Sequence, residues 1–388
     1  MTVEQLKEQF IKKFGAGDIS GYFSPGRVNL IGEHTDYNGG FVFPCALSFG
    51  IYCLVRKTER KTVRFASMDM PFEAEVKLED LNKAIGKEWV NYPIGVFAQF
   101  MKKGLTFGSG ADLLFYGDVP TGAGLSSSAA LEVCTAVMIN DQFGFGIGKV
   151  ELAKMGQKAE HEFALVNCGI MDQFASAMGK KDSAIFLDCN TLQYKIVPLK
   201  LKEYALVISN TNKRRGLADS KYNERRGECD KAVDYIRKAR NISLLGEIPE
   251  DSFYLIDQEI PDETIRKRAR HVVTEIKRTV DAVKELSEGN LTRFGALMNG
   301  SHDSLRDDYE VTGFELDTLV NEARKIPGVI GSRMTGAGFG GCTVSLVAKD
   351  RVDTFMDTVG RNYQAKTGLK ADFYVAEIGD GARLIESF

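Results

Sequence analysis

Long apolar runs are missing from this chain of 388 residues. None approaches the roughly 18 residues that a membrane-spanning helix requires, which argues against an anchor. The first fourteen residues lack the apolar core of a signal peptide as well: Val3, Leu6, Phe10, Ile11 and Phe14 stand among Lys, Glu and Gln at helical spacing. Charge of one sign is not in excess. The formal net charge is −3, which gives no electrostatic case for nucleic acid or an anionic membrane surface as a partner. The seven cysteines form no CxxC pair and the four histidines do not cluster, so neither a disulfide framework nor a zinc site is expected. Low-complexity segments and internal repeats are absent too. What remains is a soluble, unexported protein suited to a reducing cytoplasm, with no obligate protein partner evident.

Its composition, 44% apolar and 27% charged, is that of an ordinary globular protein. The length exceeds the usual limit of a single core, so two domains are expected. Strand-like and helix-like segments alternate, which predicts an α+β architecture. Strands are expected at Phe49 to Arg56, Val63 to Ser67, Ala111 to Tyr116, Tyr204 to Ser209, Cys342 to Ala348 and Ala371 to Ile378. Helices are expected at Leu125 to Gln142, Asp262 to Ser287, Thr312 to Lys325 and onward from Arg351. A composition shift between Asn190 and Lys202 divides the chain into residues 1–195 and 196–388.

Residues 24 to 40 read Ser-Pro-Gly-Arg-Val-Asn-Leu-Ile-Gly-Glu-His-Thr-Asp-Tyr-Asn-Gly-Gly. Arg27 leads into the strand-like core residues Val28, Leu30 and Ile31, and Glu33, His34, Asp36, Tyr37 and Asn38 follow at once. Burying such a run without partners costs on the order of 2 to 7 kcal/mol for each neutral polar group and more for a charge. A polyhydroxylated ligand would supply the missing hydrogen bonds. A solvated turn is the alternative, because Asp36, Asn38, Gly39 and Gly40 are turn formers.

The segment Val119-Pro-Thr-Gly-Ala-Gly-Leu-Ser-Ser-Ser-Ala-Ala-Leu-Glu132 joins a strand, a glycine-rich loop and a helix N-terminus. Gly122 and Gly124 let backbone N–H groups turn toward a ligand, and the first helical turn adds unpaired donors and a partial positive charge. Phosphate is the natural guest. The loop is neither a Walker A sequence nor a dinucleotide GxGxxG pattern. Ser126, Ser127 and Ser128 stand about 100° apart around a helix, so at most one or two of them touch phosphate or Mg²⁺. A purely structural cap would need one serine.

In the stretch from Ala159 to Phe174, Glu160 ends a helical pattern of Leu152, Met155, Ala159 and Phe163, and Asp172 sits among Ile170, Met171 and Phe174. Carboxylates in such surroundings are paired with a cation or a metal, or else protonated; Arg27 is the candidate cation for Asp172. The bland alternative makes Asp172 a helix cap and Glu160 and Glu162 a solvated face. The run Arg333-Met-Thr-Gly-Ala-Gly-Phe-Gly-Gly-Cys-Thr-Val344 marks either close backbone approach to a ligand or another segment, or a tight hairpin.

These segments together resemble the galactokinase family, part of a superfamily of small-molecule kinases that also holds homoserine, mevalonate and phosphomevalonate kinases. The sugar signature is matched by Gly26 to Asn38, the phosphate motif by Gly122 to Ala130, the catalytic segment by Gly169 to Phe174 and the third motif by Thr335 to Gly341. The glycine motifs identify only the superfamily, whereas Gly-Glu-His-Thr-Asp-Tyr-Asn is specific to galactokinase-like members. The resemblance implies two domains, an N-terminal mixed β-sheet with helices and a ferredoxin-like C-terminal half, with the active site in the cleft between them. It implies transfer of the ATP γ-phosphoryl group to the C1 hydroxyl of α-D-galactose, with galactose and ATP as small-molecule partners and Mg²⁺ as cofactor. By this similarity Asp172 and Arg27 are catalytic, and the sugar is held by Glu33, His34, Asp36, Gly169, Asp172 and Tyr222. ATP falls to Gly122, Ala123, Gly124, Leu125, Ser126, Ser127 and Ser128, with Trp89 and Tyr92 on the adenine side, and the metal to Ser127 and Glu160.

Two rival functions follow from the same resemblance. One is an N-acetylgalactosamine or related sugar 1-kinase. The other is a catalytically silent galactose and ATP sensor, but regulators of that kind lack the Ser-Ala pair in the phosphate loop, and Ser128-Ala129 is present here.

Overall fold

The computed structural model describes residues 1–120, 124–213 and 218–387. The α+β class and the two-part arrangement expected from the sequence are what it contains. A six-stranded mixed sheet runs in the order Arg383–Ser387, Ser20–Asn29, Pro44–Thr58, Gly110–Gly117, Thr62–Ser67, Ala74–Lys77. Its pairs are antiparallel except for Thr62–Ser67 beside Gly110–Gly117, which is parallel. The helices Asn91–Lys102, Ser127–Gln142 and Lys149–Ala159 cover one face, and Phe65, Phe97, Leu113, Phe115, Met138 and Leu152 form the core between them.

The second sheet is antiparallel, in the order Val329–Thr335, Cys342–Ala348, Tyr204–Asn210, Asp372–Val375. Period-two alternation divides its side chains between two cores. Ile208, Val344 and Leu346 pack with Phe294 and Met298 of helix Leu291–Asp307. Val207 and Val347 face the other way, against Leu319 of helix Gly313–Ala323 and Phe355 and Tyr363 of helix Val352–Thr367.

The stretch from Asn190 to Lys202 holds the exposed strand Tyr194–Pro198, which closes a small sheet with Ser183–Asp188 and Phe41–Val42. Tyr194 and Ile196 are solvent-facing there, which accounts for the change in composition. The last strand, Arg383–Ser387, returns to pair with Ser20–Phe23 in the first sheet, a long-range pairing that local sequence pattern does not reveal.

Element ends shift where a local residue dictates it. The N-terminal helix is Val3–Phe14, started by a capping box in which the Thr2 side chain accepts from Gln5 N and the Gln5 side chain accepts from Thr2 N. Asp262 stands outside Glu263–Ser287 as its cap, accepting from the N–H groups of Thr264 and Ile265. The helix expected from Leu125 begins at Ser127, because Ser126 is left-handed (φ 63°, ψ 47°). No described helix is long and apolar enough to cross a membrane.

Candidate active site

The strand Ser20–Asn29 carries Arg27 just past a register irregularity between Pro25 and Arg27. Gly26 lies against the phosphate loop so closely that a Cβ there would sit 2.6 Å from the Leu125 carbonyl oxygen. That approach lets Arg27 N donate to Leu125 O at 3.1 Å and Arg27 Nη1 to Gly124 O at 2.9 Å. The rest of the guanidinium holds Asp172 in a bidentate pair, Nε to Oδ1 at 2.7 Å and Nη2 to Oδ2 at 2.9 Å, the strong geometry for arginine and carboxylate. Burial opposes the charge on Arg27, but Asp172 and then Glu33 more than offset this, so its pKa is raised. Ser126 adds a third contact, donating from Oγ to Asp172 Oδ2 at 2.5 Å. Its left-handed backbone, strained for a residue with a Cβ, is what turns the hydroxyl onto the carboxylate.

A cavity of about 130 Å³ opens beside this pair and brings together Arg27, Glu33, His34, Asp36, Gly169, Asp172 and Tyr222, the sugar and catalytic set expected from the sequence. Asp36 presses on Gly169, where a Cβ would lie 1.8 Å from Oδ2. Burial and then the charge of Asp172 push the Asp36 carboxyl up to about 6. Glu33 is satisfied from within the protein: it accepts from the Asn29 side chain, from Gly336 N at 2.5 Å and from Arg333 Nη1 at 3.4 Å. Burial still pushes its carboxyl up to about 7, against the pull of Arg333 and Arg27. His34 uses both ring nitrogens, toward the Tyr37 hydroxyl at 2.8 Å and Ala337 O at 3.2 Å. Burial, and then His271, drive it down to about 3, so it is neutral. Tyr222 lies near it, the rings tilted by 39° with centroids 5.6 Å apart.

A second cavity of about 330 Å³ is lined by Trp89, Tyr92, Ser127 and Ser128 together with Ile51, Phe115 and Leu131. Trp89 is pinned by donating Nε1 to Phe72 O at 2.8 Å. Of the expected loop residues, Gly122 and Ala123 lie outside the described residues. Leu125 turns its side chain into the core, and only its carbonyl oxygen is turned toward Arg27. The three serines divide: Ser126 serves Asp172, Ser127 and Ser128 face the second cavity, and Ser128 also hydrogen-bonds Glu160.

Glu160 stands where the two cavities approach each other. It is buried, accepts from Gln173 Nε2 at 2.6 Å and from the Cys168 thiol at 3.4 Å, and has no cationic partner among the described residues. Burial and then Asp172 push its carboxyl up to about 7. A hard divalent cation fits such a carboxylate with the Ser128 hydroxyl beside it. No group of three or more His, Cys, Asp or Glu is arranged for a metal among the described residues, so a cation here would take most of its ligands from phosphate and water, as Mg²⁺ does in kinases.

Several lining residues were not assigned to the site from the sequence. Gly336 and Ala337 of the third motif form part of the first cavity's wall, and the density of glycine there was the available signal. A Cβ on Gly336 would approach Gly124 O to 3.2 Å, and one on Gly338 would meet Val311 O at 2.3 Å. The run is therefore both a hairpin connection and a close-approach surface. Cys168 and Met171 also line the cavity, beside the expected Gly169 and Asp172.

Residues 8–57 match the family model described as the galactokinase galactose-binding signature, residues 91–180 that of the GHMP kinases N terminal domain, and residues 282–365 that of the GHMP kinases C terminal. The chain is 54% identical over 386 residues to a galactokinase of Fusobacterium nucleatum, covering 98% of this chain and 99% of that protein. It is 53% identical to a galactokinase of Clostridium beijerinckii, covering 99% of each. Among solved structures, the Lactococcus lactis galactokinase complexed with galactose superposes with a TM-score of 0.97 at 46% identity, over 99% of this chain and 100% of that one. A mevalonate kinase, at 17% identity and a TM-score of 0.62 over 94% of this chain and 98% of that one, shares the fold.

Proposed function

The chain belongs to the galactokinase family and phosphorylates galactose, and from that premise we propose that it moves the γ-phosphoryl group of ATP to the C1 hydroxyl of α-D-galactose, with Asp172 and Arg27 at the reacting atoms. The observation that carries this reading is the bidentate Arg27–Asp172 pair, which borders the sugar cavity and is tied to the phosphate loop through Gly124 O.

Phosphoryl transfer asks for positioning and charge stabilisation more than for covalent help. In our reading the Asp172 carboxylate accepts the C1 hydroxyl proton as the new O–P bond forms. Arg27 stabilises charge near the transferred group, and Ser126 fixes the carboxylate's orientation. Asp36, with no side-chain donor of its own in the protein among its described hydrogen bonds, is left to accept from sugar hydroxyls; Glu33, His34 and Tyr222 shape the remaining wall. Trp89 and Tyr92 take the adenine side, and Gly122 to Ser128 the phosphates. Mg²⁺ would be held by Glu160 and the serine hydroxyls at Ser127 and Ser128, and when bound it neutralises charge on the β- and γ-phosphates.

We further propose that the functional division falls near residue 195, between residues 1–195 and 196–388, and that the protein works in the cytoplasm, in keeping with its seven free cysteines. The test is incubation with MgATP and galactose, glucose, N-acetylgalactosamine or mevalonate, following ADP release and locating the new phosphate by phosphorus NMR. Galactose-dependent ADP release with phosphate on C1 is the expected result. Binding of galactose without turnover would overturn it in favour of a sensor.

A further inference from the structure

Glu160 leaves the end of helix Lys149–Ala159 and enters a single π-turn, Glu160–Ala164. Such a turn departs from the regular α-helical ladder, so the aim of this carboxylate must be set by neighbouring elements. Beside the Cys168 thiol and the Ser128 hydroxyl, Gln173 and the Glu132 behind it do so. Gln173, fully buried on helix Met171–Met178, gives one Nε2 hydrogen to Glu160 Oε2 at 2.6 Å and the other to Glu132 Oε2 at 2.9 Å. Glu132 is itself fully buried on helix Ser127–Gln142. Gly156 makes room for the arrangement, since a Cβ there would stand 3.2 Å from Gln173 Cγ and 3.4 Å from Glu132 Cβ.

We propose that Gln173 is a positioning residue, which aims the Glu160 carboxylate at the metal through an amide anchored on the buried Glu132. The inference rests on the reading of Glu160 as a magnesium ligand. Its logic is chemical. Two carboxylates meet one nitrogen, and among uncharged side chains only a primary amide carries two hydrogens on one nitrogen. Packing alone does not explain the cluster, because Glu132 Oε1 and Gln173 Oε1 are buried without a hydrogen-bond partner among the described residues; apolar residues would fill the same space at less cost. Gln173 also follows Asp172 directly, so one rigid helix orients both the group that meets the sugar and the group that meets the metal.

The test uses Mn²⁺ with a non-hydrolysable ATP analogue, reading free Mn²⁺ by electron paramagnetic resonance, and galactose binding by calorimetry without nucleotide. Gln173→Met and Glu132→Leu are each expected to weaken Mn²⁺ binding about 10- to 100-fold while galactose affinity stays within about twofold. Glu132→Gln, which still accepts from Gln173, is expected to restore what Glu132→Leu loses. If Glu160→Gln weakens Mn²⁺ binding but Gln173→Met and Glu132→Leu do not, the positioning role is overturned and the metal reading stands. If Glu160→Gln leaves Mn²⁺ binding unchanged, the metal reading falls and the inference with it. Should Gln173→Met fail to fold, Glu132→Leu interrogates the same amide from its other partner, and a lowered melting temperature without a change in Mn²⁺ affinity would assign the cluster to packing.

Discussion

Gly169 is a glycine because Asp36 occupies the space a side chain would need, with Oδ2 1.8 Å from where a Cβ would be. Gly169→Ala must displace the Asp36 carboxylate, and the loss of charge-assisted hydrogen bonds worth about 1.5–3 kcal/mol should weaken galactose binding roughly 10- to 100-fold. Binding of an ATP analogue should hold; equal loss of both ligands would mean general misfolding. Protonation makes a related prediction. The Asp36 carboxyl is pushed up to about 6 and that of Glu33 to about 7, in each case chiefly by burial. Sugar hydroxyls donate to the ionised Asp36, whereas Glu33 already accepts from Asn29, Gly336 and Arg333, so galactose affinity should be full well above pH 6 and fall on acidification through it, by up to about tenfold per pH unit. Calorimetry across pH 5 to 8 on Asp36→Asn should lose that limb, and a profile as steep as the unmodified protein's would remove Asp36 from the account. For Asp172→Asn, turnover should drop about 10²- to 10⁴-fold if the carboxylate takes the C1 proton, and a variant with nearly full turnover would eliminate that role. Arg27 and Asp172 were legible in the sequence because an aspartate among Ile170, Met171 and Phe174 needs a cation. The partners of Glu33 were not, since Arg333 and Gly336 reach it from the far end of the chain.

At the scale of elements, the strands and helices that periodicity named are present, because alternation there has a core to bury, but Ser183–Asp188, Val329–Thr335, Asn91–Lys102, Ala218–Arg237 and Leu291–Asp307 were not among them. The ends were less legible. Ser126 and Asp262 each end or begin a helix through a single side-chain or backbone preference, and the π-turn after Ala159 keeps the same apolar spacing as the helix before it. Close packing between elements was readable only as unexplained glycine. Gly295, in the interior of helix Leu291–Asp307, shows why: a Cβ there would meet Ile330 O at 2.2 Å and Gly331 N at 3.2 Å. Helix and strand Val329–Thr335 approach backbone to backbone, so even one methyl must pry them apart. Gly295→Ala, which would be stabilising on helix propensity alone by about 1 kcal/mol, should instead cost about 1–3 kcal/mol or more as overpacking. Urea denaturation decides the sign, and a variant as stable as the parent would show that the helix can slide without loss.

Across the whole molecule, the two larger sheets are joined by a buried polar seam beside the cavity that Glu33 lines. Arg333, on strand Val329–Thr335, is fully buried and donates to Asn29 O at 3.2 Å, to Glu33 Oε1 at 3.4 Å and to Ser301 Oγ at 3.1 Å. Its remaining nitrogen stands 4.0 Å from Glu275. His271 closes the seam from helix Glu263–Ser287, its Nε2 3.1 Å from Glu33 O. Removing one member of a buried ionic network leaves its partner uncompensated, which costs about 3–5 kcal/mol, and here Glu33 loses its ion-pair partner while Glu275 keeps Arg278. Arg333→Met should therefore lower stability and also loosen the coupling between the two sheets. The single tryptophan gives a local probe: Trp89 packs edge-to-face on Phe115 of the first sheet at 5.7 Å. In the parent its fluorescence and the far-ultraviolet circular dichroism should report one shared urea transition, because separate unfolding would have to expose the seam. In Arg333→Met the two curves should move to lower urea and separate, the signature of halves that no longer unfold together. Curves that shift but stay superimposed would confine Arg333 to stability, and curves that neither shift nor separate would show that the seam does not join the sheets at all.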